Sequence, residues 1–95
     1  MLDATSGGWS TPVAGNGCHY RPHVRVGSEG HYLGVSFLVG PELIAPGTEA
    51  IVKMALVYHP EVDYSALLVG THFQILEGPH VVGAGTVTWQ GDTTG

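Results

Sequence analysis

Glycine and proline punctuate this chain so densely, 15 and 6 of 95 residues, that almost nowhere is there room for a helix of three turns. The segments between them are short and rich in valine and threonine, residues that fit a pleated, half-buried surface. Five or six short strands joined by tight turns favour a barrel or a sandwich, and one small domain is all that 95 residues supply.

The strands can be read from period-two alternation. From His19 to Val26, Tyr20, Pro22, Val24 and Val26 alternate with Arg21, His23 and Arg25. Pro22 has no N–H to give a ladder, which puts it at an edge or where pairing is interrupted. After a turn at Gly27–Gly30, Leu33, Val35, Phe37 and Val39 share one face, with Gly34, Ser36 and Leu38 behind them. Pro46-Gly47 breaks the chain before the longest strand, Ala50 to Tyr58. There Ala50, Val52, Met54, Leu56 and Tyr58 point inward, and Ile51, Lys53, Ala55 and Val57 outward. His59-Pro60 ends it. Residues 61–69 read either as a short strand at Leu67-Leu68-Val69 or as a loop covering one barrel end. Thr71 to Glu77 follows with Phe73 and Ile75 inside. Val81 to Gln90 closes the set, with Val81, Gly83, Gly85, Val87 and Trp89 on one face; its glycines allow a sharp bend or close packing. Residues 1–17 show no stable periodicity and are expected to be a flexible or partly docked arm, residues 18–90 the barrel, and residues 91–95 a disordered tail.

Charge narrows the function. The formal net charge is -5, and Arg21, Arg25 and Lys53 are the only permanent cations. A strong nucleic-acid binder makes about six to ten phosphate contacts, so RNA as a sole partner is disfavoured. The six histidines add charge only below about pH 6.5. A single cysteine, Cys18, leaves no internal disulfide framework and fits a cytoplasmic chain. No apolar run is long enough to span a bilayer.

The order of several short motifs resembles the C-terminal, third β-barrel domain of the elongation factor Tu family. Gly7-Gly8-Trp9-Ser10-Thr11-Pro12 stands where that family has Gly-Gly-Arg-His-Thr-Pro. Tyr20-Arg21-Pro22, Pro46-Gly47, Lys53-Met54, His59-Pro60, Glu77-Gly78 and Val82-Gly83-Ala84-Gly85 follow in the family's order. The resemblance implies a small six-stranded antiparallel barrel and a surface used in translation. It also implies a first strand before Gly7-Gly8, for which residues 1–6 leave almost no room, so that strand is expected to be missing or replaced. An edge left open in this way would invite a second copy to pair. The family's Arg-His pair is Trp9-Ser10 here, and the arginine of its last hairpin falls at His80, which weakens phosphate binding. The chain has no phosphate-binding loop and no GTPase domain, so it is not expected to be an enzyme.

The candidate contact residues are Trp9, Tyr20, Arg21, His23, Arg25, Ile51, Val57 and His80. Tyr20 to Arg25 is the one local cationic cluster, and it suits an acidic partner or a phosphate as well as an exposed strand face. The outward set Leu38, Ile51, Ala55, Val57, Leu76 and Val82 suits docking. Trp9 is either a plug over the barrel or a partner anchor. His19 and His23 are spread along a strand rather than brought together, so a metal site would need His23, His59, His72 or His80 to meet across strands. Cys18 and His19, as strand neighbours, point to opposite faces and are poorly placed to act as nucleophile and base, so another histidine would have to serve. No cofactor is expected. The leading expectation is a non-enzymatic binding module for a protein partner or for its own copy. An RNA or aminoacyl-tRNA accessory in translation is the rival, and a small metal- or cysteine-dependent enzyme is a third reading.

Overall fold

The structure is a computed structural model that describes residues 1–27, 30–58, 61–62 and 64–91. Six strands, β1 (Leu2–Gly7), β2 (His23–Arg25), β3 (Leu33–Val39), β4 (Glu49–Leu56), β5 (His72–Glu77) and β6 (His80–Gln90), close into a barrel in the order β1-β4-β3-β2-β5-β6. Every pairing is antiparallel. The fold is therefore the expected small six-stranded antiparallel β-barrel. Among the described residues, no helix is long and apolar enough to cross a membrane.

The N-terminal segment corrects the sequence reading. It is no arm at its start, and the first strand is neither missing nor replaced: Leu2–Gly7 is β1, hydrogen-bonded to β4 on one side and β6 on the other. Six residues suffice because a strand advances about 3.3 Å per residue. Alternation was present but hidden by small side chains. Leu2, Ala4 and Ser6 turn into the barrel, while Asp3 and Thr5 are only partly covered. The chain then docks across one barrel mouth, where Gly47 N donates to Trp9 O and Val13 pairs with Ile44. With β1 in place the sheet has no free edge, which removes the edge-pairing argument for a dimer.

The core is drawn from alternate residues of every strand. Ala4, Val24, Val35, Phe37, Val52, Met54, Ile75 and Val87 are almost completely buried. Each larger apolar side chain so buried contributes about 1.5–3 kcal/mol. Gly83 and Gly85 narrow the barrel wall as their positions suggested. A Cβ on Gly85 would lie 2.6 Å from Phe73 Cζ and 2.3 Å from Thr5 O, so the Phe73 ring and strand β1 occupy the space a side chain would need. Pro22 interrupts pairing as expected: Pro22 O accepts from Val35 N at 3.1 Å, and the reciprocal bond has no donor.

Six inward or outward assignments are corrected. A register shift between Asp3 and Ala4 leaves an extra residue in β6, so Trp89 faces out and is 49 % exposed although Val87 faces in. A shift between Phe37 and Val39 likewise turns Val39 to solvent. The shift between Ile75 and Leu76 leaves Val82 as an extra residue of β6, so Val81, expected inside, is 51 % exposed, and Val82, expected outside, packs partly buried against the core. Leu76, expected outward, is buried. Strand β4 ends at Leu56, and Tyr58 lies beyond it on the outside.

Both barrel mouths are plugged. At one, Trp9, Tyr20 and Phe37 meet edge to face, with centroids 5.0–6.0 Å apart. At the other, Tyr64 and Leu67 are buried, so the segment that was hardest to read is a covering loop. His59 and Pro60, expected to end β4, lie outside the described residues, as do residues 92–95 of the expected tail. Gly91 is tied back through its N–H to Met1 O.

Candidate functional site

Strand β2 lies diametrically opposite β1 in the barrel order. Its outward face and the residues just before it carry both arginines of the chain. Val24 is buried, so alternation turns His23 and Arg25 outward, and Arg21 continues the same row beyond the strand start. Tyr32, just before β3, comes up beside them: its ring centroid is 5.8 Å from that of His23 and 5.6 Å from Arg25 Cζ. Arg25 is further held by Gln74 of β5, whose Oε1 accepts from Nε at 3.2 Å and from Nη2 at 2.8 Å. Arg25 is thus a fixed positive post.

Beside this row a cleft of about 60 Å³ opens, lined by Arg21, Pro22, His23, Gly34, Val35, Val57 and Tyr58. Its shape depends on one glycine and one buried hydroxyl. The Tyr58 ring lies against Gly34, and a Cβ there would stand 2.5 Å from Tyr58 Cε2. The Tyr64 hydroxyl donates to Gly34 O at 2.6 Å and accepts from Tyr58 N at 3.0 Å, joining the two walls. Burial holds that hydroxyl's pKa above the usual 10.0, so it stays a donor at any working pH. Arg21 is exposed at the rim and forms no ion pair among the described residues. The cleft therefore presents an uncommitted guanidinium beside an imidazole, with the exposed Tyr58 in its wall and Tyr32 beside His23. That combination suits a carboxylate-bearing chain.

The structure brings together Arg21, His23, Arg25 and Val57 from the expected contact set and separates the rest. Tyr20 is partly buried with Trp9 at the mouth. Trp9 is 3 % exposed, which corrects its reading as a partner anchor: it is a plug, and its indole Nε1 donates to Tyr20 OH at 3.0 Å. Ile51 is exposed on β4 next to β1, across the barrel from the arginines, and His80 is exposed at the start of β6. Of the apolar outer set, Val57 thus joins the arginine surface while Ile51 lies apart from it. Sequence reasoning missed Tyr32, Tyr58, Gly34 and Tyr64. Tyr32 was legible in principle, because continuing the β2–β3 register places it opposite Arg25; Tyr64 was not, because it reaches Gly34 from an irregular loop.

Other candidates do not assemble. Cys18 is a partly buried free thiol with φ of 60°, and it donates its N–H to Phe37 O. Among the described residues, no three His, Cys, Asp or Glu side chains are grouped to hold a metal ion. His72 Nδ1 is 2.7 Å from Thr86 Oγ1 on the neighbouring strand.

No protein-family model matches this chain, and no curated protein matches it.

Proposed function

We propose that this chain is a non-enzymatic binding module whose β2 surface docks an acidic segment of a protein partner in the cytoplasm. The observation that carries the reading is the gathering of Arg21, His23 and Tyr58 around one cleft, with Tyr32 beside His23 and Arg25 beside Tyr32, in a chain whose net charge is -5. Two of the chain's three permanent cations are at this face and the chain as a whole is negative, so charge favours docking of an acidic segment here. Arg25 is already immobilised by Gln74 and Tyr32, which lowers the ordering cost of binding.

Kinship with the third domain of elongation factor Tu belongs to the same proposal. It is supported by the six-stranded antiparallel barrel and by the order of the short motifs. A part in translation would then run through a protein contact, because two arginines on the β2 surface provide too few phosphate contacts for RNA to bind alone.

Fluorescence anisotropy with a labelled glutamate-rich peptide tests the reading. The expected result is binding that weakens with salt and is lost in Arg21→Glu/Arg25→Glu. No binding at low salt, or tighter binding of a single-stranded RNA probe than of the peptide, would overturn it.

A further inference from the structure

The strand order β4-β3-β2 puts β3 between two unlike walls of the cleft. On the β2 side stand Arg21 and His23; on the other, just past β4, stand Val57 and Tyr58, 39 % and 53 % exposed. Gly34 of β3, in register with His23, lies between them without a side chain. One wall is therefore cationic and the other apolar, and a partner that offers only charge leaves the apolar wall uncovered.

Backbone recognition is closed off here. Gly34 O accepts from Val57 N at 3.2 Å as well as from the Tyr64 hydroxyl, Tyr58 N donates to that same hydroxyl, and Pro22 has no N–H. The barrel is closed, so a peptide cannot add to it as a further strand. Selection falls to the side chains. The cleft's volume of about 60 Å³ is the share of about two water molecules in the liquid, at ~30 Å³ each. That is room for one carboxylate and not for a row of them.

Two strand spacings of about 4.8 Å separate the walls at the backbone, and the Tyr58 ring, lying against Gly34, narrows that span. On an extended peptide, side chains two residues apart point the same way at a separation of about 7 Å, whereas immediate neighbours point to opposite faces. We infer that the acidic segment docked at the β2 surface carries one carboxylate two residues from a bulky apolar side chain, the carboxylate meeting Arg21 and the apolar group covering Tyr58 and Val57. This rests on the docking proposed above and adds the partner's spacing to it. Arg21 supplies the fork for the carboxylate, because it makes no ion pair among the described residues. Tyr58 makes the choice between an apolar-flanked carboxylate and a run of charge.

The test is fluorescence anisotropy with labelled peptides of equal length, at about 150 mM salt, where charges more than about 8 Å away are largely screened. A glycine-serine frame carries Glu-Ser-Leu, Glu-Leu as an adjacent pair, or Gln-Ser-Leu, and a glutamate-rich peptide is the fourth probe. Glu-Ser-Leu is expected to bind about tenfold tighter than each of the others. Tyr58→Ala, at an exposed position, is expected to erase its margin over the glutamate-rich peptide while leaving the affinity for the latter within about twofold, and Arg21→Gln to weaken both. Glutamate-rich or adjacent-pair peptides that bind as tightly as Glu-Ser-Leu would overturn the inference and leave acidic docking standing, and that wild-type comparison needs no variant to fold. So would a margin that survives Tyr58→Ala with circular dichroism unchanged. No binding of any of the four peptides would overturn both.

Discussion

Trp9 Nε1 donates a hydrogen bond to the Tyr20 hydroxyl at 3.0 Å, and that hydroxyl in turn donates to Glu77 Oε2 at 2.6 Å. The relay ties the segment after β1 to the end of β5 across one barrel mouth, and Phe37 supports both rings from below. Tyr20→Phe keeps the ring packing but strands the buried indole N–H and removes the donor to Glu77. The expected loss is about 1–3 kcal/mol in chemical denaturation. Burial, and then the hydrogen bond and negative charge of Glu77, raise the Tyr20 pKa well above 10.0. A raised tyrosine pKa stabilises the fold below the unfolded value and loses that contribution as pH rises through and above about 10. The wild type should therefore lose stability in that range more steeply than Tyr20→Phe, as thermal melts from pH 8 to 11 would show.

Gly85 predicts a second effect. Phe73 and the β1 backbone fill the place of its missing side chain. Gly85→Ala forces either the ring or the strand to move, and overpacking of this kind costs about 1–3 kcal/mol. In a domain of this size each kcal/mol lowers the melting temperature by roughly 4–8 °C. An unchanged melt would mean that the barrel wall is looser here than the structure shows.

Strand β1 is hydrogen-bonded on both sides, and it alone separates β4 from β6. Removing residues 1–7 opens two long edges at once. The expected result is a chain that aggregates on expression, because unpaired edges template further pairing. A truncated chain that stays monomeric and keeps its β-sheet circular dichroism would mean that β1 is dispensable for closure.

Much of the barrel was legible because the core strands obey their period. Val52 and Met54, Val35 and Phe37, and Phe73 and Ile75 face inward as alternation requires. Leu2–Gly7 escaped notice because alanine, serine and glycine carry almost no hydrophobic contrast, so a strand with four of its six residues buried looks like linker. Trp89, Val39, Val81 and Val82 were misplaced because a register shift inserts a residue in their own strand, which reverses the assignments on its far side while leaving no mark in composition. The arginine row was visible as a local cluster. The cleft beside it was not, because it depends on Tyr58 and Tyr64 returning from a loop to Gly34.

The measurement that tests the central claim most directly is a titration of isotope-labelled protein with a glutamate-rich peptide, followed by two-dimensional amide NMR at low salt. Perturbations are expected at Arg21, His23, Arg25, Tyr32, Gly34 and Tyr58 and not on β1, β4 or β6, and they should disappear in Arg21→Glu/Arg25→Glu. Shifts centred on Asp3, Ile51 and Trp89, or no shifts at peptide excess, would contradict the assignment of the β2 surface as the docking site.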